Sequence, residues 1–402
     1  MTPVTNAALP TLDYEHETDP EEVHRLIAAA RAHAPIAMGP HGPELLTYDL
    51  VRTALRDARF EVPRGMFLAA QGITSGPLWD RANSSLLGID AESHTRLRRL
   101  VAKAFAPRSA EKLREACIDI VTELTDPCLS EGRCDVVTDI AMQYPIPVIC
   151  ALLGAPRQDW HLFSRWADDI FKMFSWNLGG HADTVETAWL QLDDYVDAMV
   201  THRSTTLTDD LLSDLIRAKV DGDRLTHSEL QMLAGGVLLA GTDTTRNQLA
   251  AAVQVLCDYP DQWLLLAENP DMAPTFVDEL LRHTPIALSS VRTAREDVGL
   301  AGLIFPAGTH VVVNFAAANR DPQVYDDPDR FDVNRIGPPA MMTFGGGLHY
   351  CLGVHLARVE LTEALRVLTR KLHNPRCVGR ARWKPMTGIT GPASLPVTFE
   401  AA

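Results

Sequence analysis

The chain has 402 residues, 46% of them hydrophobic and 22% charged, which is globular composition with ample core material and excludes a disordered or low-complexity chain. A net charge of −15 disfavours general nucleic-acid binding. Seven cysteines, widely spaced and without CxxC pairs, argue against a disulfide framework or a zinc ribbon and point to a reducing, cytoplasmic compartment.

In chain order, residues 1–20 are polar, with Pro3, Pro10 and Pro20, and read as a partly disordered tail without the features of a signal peptide. By length alone, residues 21–402 would suggest two or three domains. Helices are predicted over 21–33 and 49–57, with a strand over 44–48. Residues 60–90 contain Pro63, Gly65, Gly72, Gly76 and Pro77 among the apolar Met66, Phe67, Leu68 and Ile73. Long loops of this kind commonly cover binding sites. Residues 109–220 read as helical, broken at Pro127, Pro145, Pro147 and Pro156. Thr226-His227-Ser228-Glu229 fits a capping box and opens a helix that runs to about Cys257, roughly 45 Å at 1.5 Å per residue. From Leu230 to Leu239 that helix is apolar on nearly all sides, so it is expected in the core. No apolar run of ~18 residues stands out, so no membrane span is expected. Strands are predicted over 298–304, 310–315 and 395–399. The fold class is mainly α with small β-sheets.

Three motifs carry chemistry. Phe344-Gly345-Gly346-Gly347-Leu348-His349-Tyr350-Cys351-Leu352-Gly353 is a glycine-rich loop delivering one cysteine to the expected start of a helix, with Leu352, Leu356, Val359, Leu365 and Leu368 at helical spacing. A sulfur there faces unpaired N–H groups and the positive end of the helix dipole, which favour thiolate. Such a thiolate in a glycine-walled slot suits a haem iron. Ala240-Gly241-Thr242-Asp243-Thr244-Thr245 places a glycine, an acid and three hydroxyls inside the buried helix, where they are costly and either open a local bulge or form a satisfied polar notch at a helix crossing. Glu279-Leu280-Leu281-Arg282 sets opposite charges three apart on one helix face.

The cysteine segment resembles the haem-binding loop of cytochromes P450, whose pattern Phe344, Gly347, Cys351 and Gly353 match at all four positions. The resemblance covers nearly everything after about residue 20. It implies a single large domain in the triangular-prism P450 fold, and a haem-thiolate monooxygenase holding haem b. Such an enzyme uses O2 as co-substrate and inserts one oxygen atom into an apolar small molecule, by C–H hydroxylation or epoxidation. Electrons would come from a ferredoxin or flavodoxin, and the enzyme would be a cytoplasmic monomer. It further implies Cys351 as axial ligand and Asp243 with Thr244 as the acid–alcohol pair for proton delivery. His94, Arg98, Arg292 and His349 would contact the haem propionates, and Phe344, Gly345, Gly353, Ala240 and Gly241 would wall the cofactor. The distal pocket would include Gly236, Leu239, Ala240, Leu288, Val291 and Ile389, with Met66 and Phe67 from the loop. Glu279, Arg282 and Arg330 would form a buried charge network behind the cysteine loop.

Two segments run against the acidic balance: 94–108 and 366–384 hold five and seven Lys/Arg with no acid. They read either as solvated basic faces or as a docking patch for an acidic redox partner. Rival readings use the same residues. A zinc site from His349, Cys351 and His355 lacks usual spacings and a fourth ligand. A peroxide-using relative typically lacks the Asp243–Thr244 pair, and a haem sensor or carrier has no use for it.

Overall fold

The computed structural model describes residues 1–65, 68–174, 178–220, 225–335, 337, 339–386 and 388–401. The architecture is mainly helical with small sheets, built around the helix His227–Asp258. The capping box forms as expected: the Thr226 hydroxyl accepts the Glu229 N–H (3.2 Å) and the Glu229 carboxylate accepts the Thr226 N–H (2.9 Å). The helix ends at Asp258, before Pro260. It packs against Pro145–Leu153, Trp160–Phe171, Ala182–Arg203 and Val354–Lys371, so its apolar circumference is covered on several sides. Of the two readings of 240–245, the bulge does not form and the hydroxyls are satisfied within the helix. Thr242 and Thr244 donate to the carbonyls of Leu238 (2.6 Å) and Ala240 (2.9 Å), and the helix runs through regularly. The hydroxyls are satisfied one turn back without displacing the backbone ladder.

A five-stranded sheet runs in the order Ile36–Gly39, Gly42–Leu45, His310–Asn314, Ser289–Ala294, Phe60–Glu61. Val311, Val312 and Val313 form its centre, as β-branched side chains suit a strand buried on both faces. Register places Val291 opposite Val312, Arg292 opposite Val311 and Glu61 opposite Thr293. A second sheet joins Leu372–Cys377, Pro396–Ala401 and Arg133–Asp135, and a hairpin joins Arg382–Trp383 to Pro392–Ser394. The run 298–304, expected as one strand, is the hairpin Val298–Leu300 and Leu303–Phe305, turned at Ala301 and Gly302 with positive φ.

Residues 1–20 are tied down, contrary to the expected partly disordered tail. Thr2–Pro3 pairs in parallel with Leu303 and Ile304, Val4 and Leu12 are buried, and the Asp19 carboxylate caps the helix Pro20–His33. Buried apolar anchors outweigh the polar composition here. The window Val136–Leu153 also departs from expectation, being long and apolar enough to cross a membrane. It comprises the π-turn Val136–Ala141 and the helix Pro145–Leu153, and 67% of it is buried within the protein. That burial is how a soluble core helix satisfies the same composition.

Candidate functional site

The cysteine loop is shaped by its own backbone. The Phe344 carbonyl accepts the Cys351 N–H (2.9 Å), and the Met342 carbonyl accepts the Gly345 N–H (2.8 Å). Gly347 takes φ +63°, and a Cβ there would lie 2.0 Å from the Leu55 carbonyl oxygen, so only glycine fits. The helix after the cysteine begins at Val354 with Gly353 as its N-cap, two residues later than expected. Burial pushes the Cys351 thiol up, while the Gly353 N–H and the Arg98 guanidinium pull it down. The loop and the Arg98 charge thus favour the thiolate while burial opposes it. A metal ion on the sulfur deprotonates it outright. The Phe344 side chain packs on the core and lies under the Arg358 guanidinium, 5.5 Å from the ring centre.

Three of the four proposed propionate contacts meet beside this loop. The His94 and His349 rings are 4.3 Å apart, and Arg98 donates to the Tyr350 carbonyl. His349 Nε2 is 2.6 Å from a carboxylate that sequence reasoning passed over, Asp90. Arg292, from the five-stranded sheet, is near enough to Asp90 to feel its charge. Among the described residues, the buried Arg292 guanidinium donates only to the Ser290 hydroxyl (3.1 Å) and the Val291 carbonyl (2.8 Å). His94 is buried with Nδ1 unpartnered among the described residues, and burial, with the charges of His349 and Arg98, pushes it down to about 4.

The long helix presents an accessible face in mid-course. Ala240 is exposed, and Gly236, Gly241, Asp243 and Thr244 are half-buried, although the residues around them are buried. The Asp243 carbonyl accepts from Asn247 Nδ2 (2.7 Å), and Asn247 Oδ1 accepts from Lys384 Nζ (2.9 Å). Lys384 thus buttresses the notch rather than a basic surface. Two adjacent glycines have opposite reasons. A Cβ at Gly235 would lie 2.7 Å from the Trp189 ring, whereas at Gly236 it would meet nothing within 4 Å. Gly241 abuts Ile149, 2.3 Å from where its Cβ would be, so its small size serves helix packing. Leu239 and Leu288 are buried, Val291 and Ile389 half-buried, and a bridge from Ala287 to Ile389 sets that pair side by side. Met66 and Phe67 lie outside the described residues.

Behind Thr244, the Thr245 hydroxyl donates to the buried Glu360 carboxylate (3.0 Å), and burial pushes Glu360 up to about 8. The buried Arg246 donates to Asp168 (2.7 Å) and ties the long helix to Trp160–Phe171. Neither residue carries a recognisable sequence signal.

The charge network forms with one substitution of partner. Glu279 binds Arg282 through Nε (2.8 Å) and Nη2 (2.7 Å), both residues being buried. The third member is Arg335, whose Nε lies 3.0 Å from Glu279, and not Arg330. The Arg330 side chain is exposed and pairs with Asp332 (2.7 Å), and only its carbonyl accepts from Arg282 (3.1 Å). Among the described residues, no three His, Cys, Asp or Glu side chains converge as a metal site, and His349 turns to Asp90.

A half-buried cysteine, a buried Arg292 guanidinium with no carboxylate hydrogen bond among the described residues, the buried His94 ring and an accessible helix face with an acid and an alcohol fit a haem bound through sulfur and propionates. The family model described as "Cytochrome P450" matches residues 80–374. The chain is 36% identical to luteothin monooxygenase of Streptomyces thioluteus over 98% of this chain and 97% of that protein. It is 37% identical to mycinamicin IV hydroxylase/epoxidase of Micromonospora griseorubida, over 90% and 91%. Among solved structures, that of CalO2 superposes with a TM-score of 0.88 at 31% identity, over 95% of this chain and 96% of that one.

Proposed function

The chain belongs to the cytochrome P450 family, and on that premise we propose which of its residues do the chemistry and on what. It is a haem-thiolate monooxygenase that takes haem b as cofactor, O2 as co-substrate, a small-molecule substrate and electrons from a redox partner. Haem, when bound, supplies the oxidising chemistry that places one oxygen atom in the substrate and reduces the other to water. Cys351 would hold the haem iron through its sulfur, and Phe344, Gly345 and Gly353 shape its loop. Arg98 and Arg292 would neutralise the propionates, and His94 and His349 would donate hydrogen bonds to them. What most supports the proton role is the accessible face on the long helix. There the Thr244 hydroxyl is fixed by donating to the Ala240 carbonyl (2.9 Å) and keeps lone pairs free for a water. Asp243, one residue earlier, exchanges that water's protons with solvent, which is positioned proton transfer.

The substrate is an apolar small molecule, held by Gly236, Leu239, Ala240, Leu288, Val291 and Ile389. Relatives named for oxidising luteothin and mycinamicin IV support this class, and open space beside Gly236 supports a bulky member of it. Gly236→Leu is expected to keep or raise the melting temperature, since glycine costs a helix interior roughly 0.5–1 kcal/mol. It should weaken spin-state binding of bulky ligands about tenfold, from an overfilling cost of about 1–3 kcal/mol. Gly235→Ala, driven into Trp189, should lower the melting temperature and spare ligand binding. A Gly236→Leu protein that binds bulky ligands normally would remove this residue from the pocket.

The electron donor is a ferredoxin, meeting the basic segment 94–108 beside the cysteine loop, where Leu348 and Tyr350 are each 40% exposed. Both basic segments spend some cations on ion pairs, Arg96 with Glu229 and Lys103 with Asp214 in the first and Lys371 with Asp126 and Arg380 with Asp19 in the second, so nearness to the cysteine loop is what favours 94–108. Unpaired cysteines agree with a cytoplasmic setting. The deciding experiment is turnover with reduced ferredoxin and O2 against turnover with peroxide alone. Product should depend on ferredoxin, and haem reduction should slow severalfold between about 0.05 and 0.5 M salt as charge steering is screened. Faster product formation from peroxide alone would overturn the reading.

A further inference from the structure

Asp90 stands at the first position before the helix Ala91–Ala102, where an aspartate ordinarily caps the helix with its own carboxylate. It makes no such cap. Its oxygens go elsewhere: Oδ1 lies 2.6 Å from His349 Nε2, and Oδ2 accepts the Val62 N–H at 2.8 Å. Ala91 takes φ +54°, a left-handed backbone that a non-glycine residue adopts only when its surroundings enforce it. The turn at Ala91 accompanies a carboxylate that is spent away from its own helix.

Val62 is the residue at which the sheet lets go of the chain. Phe60 and Glu61 pair with Ala294 and Thr293, and the ladder stops there, one residue short of Arg292. The next amide needs an acceptor, and Asp90 supplies it. Residues 62 and 90 are the two ends of the long segment between the sheet and the helix, so one carboxylate closes that segment on itself. The same carboxylate holds His349 and faces Arg292. Burial works against its charge, but the hydrogen bonds from His349 and Val62 and the charges of His349 and Arg292 hold the Asp90 carboxyl below its usual value.

We propose that Asp90 is a positioning residue that clasps both ends of segment 62–90 and, through His349, couples the order of that segment to the seating of haem. The inference rests on the propionate reading of His349 and Arg292. Two single-sided variants of the holoprotein test it, followed by amide hydrogen exchange and by the rate of haem transfer to excess apomyoglobin. Asp90→Asn keeps an acceptor for Val62 and removes the charge beside His349. It should leave Val62 protected and speed haem transfer about tenfold, the usual size of an outer-shell loss. Val62→Pro deletes the donor and leaves Asp90 and His349 untouched. It should speed exchange across residues 64–89 about tenfold or more and also speed haem transfer severalfold. Wild-type haem transfer in either variant, or wild-type exchange across 64–89 in Val62→Pro, overturns the clasp. Arg292→Ala, measured in parallel, tests the propionate reading by itself, because unchanged haem transfer there would sink that reading without reference to Val62.

Discussion

Thr244→Ala is expected to cut coupled product by about 10²-fold, the lower end of what a positioned proton donor contributes, while the protein stays as stable as the wild type. Oxygen and reducing equivalents should still be consumed, with the electrons recovered as hydrogen peroxide. The stability half follows from geometry. Thr244 is half-buried and its hydroxyl donates within its own helix, to Ala240 one turn back, so alanine strands no buried partner. Alanine is also the better helix former, by a few tenths of a kcal/mol. The activity half follows from what is lost, a hydroxyl whose direction is fixed by that bond on the accessible face beside Asp243. Thr244→Ser keeps the hydroxyl and should restore most of the coupling. Thr242→Ala provides the contrast, since Thr242 is fully buried and bonded to Leu238. It should leave the ratio of product to peroxide unchanged. Wild-type coupling in Thr244→Ala would remove the residue from proton delivery.

How far the sequence reached depended on whether a residue's partner lay close in the chain. The capping box at Thr226 and Glu229 and the pair Glu279–Arg282 were legible because three residues on a helix fix the geometry. The cysteine loop was legible because glycines with enforced φ are rare in sequence and specific in purpose. The helix start at Val354 was misread because a cysteine and a glycine two residues apart both suit an N-terminus, and the loop's own hydrogen bonds decide between them. The first twenty residues were misread because two strand residues and three buried side chains leave no periodic pattern. Asp90 was passed over, since nothing local announces that its partners lie at 62 and 349. Lys384 likewise read as one more surface cation until Asn247 appeared beside it.

Arg330 was the most consequential misassignment, and it leads to the second large effect. Residues 320–335 contain three arginines, and spacing alone does not say which one reaches Glu279. In the structure the Glu279 carboxylate accepts from Arg282 twice, from the Asp332 N–H (2.8 Å) and from Arg335 (3.0 Å). Arg282 spends its remaining donors on the carbonyls of Asn319 (2.9 Å), Pro328 (2.8 Å) and Arg330 (3.1 Å). Asn319 in turn accepts the Met342 N–H (2.7 Å) and donates to Thr343 (2.7 Å), which stands immediately before Phe344. The network is therefore wired to the root of the cysteine loop. Glu279→Ala leaves two guanidinium groups facing a buried site without their anion, at a cost of about 3–5 kcal/mol. That is a fifth or more of a typical folding free energy of roughly 5–15 kcal/mol. The expected result is a lower denaturant midpoint and a protein that loses its Soret absorbance before its helical signal, because the loop is released first. Arg335→Ala should behave similarly, while Arg330→Ala, which removes only an exposed pair with Asp332, should shift stability by less than about 1 kcal/mol. If Arg330→Ala proved as damaging as Glu279→Ala, or Arg335→Ala harmless, the assignment of Arg335 as the third member would be wrong.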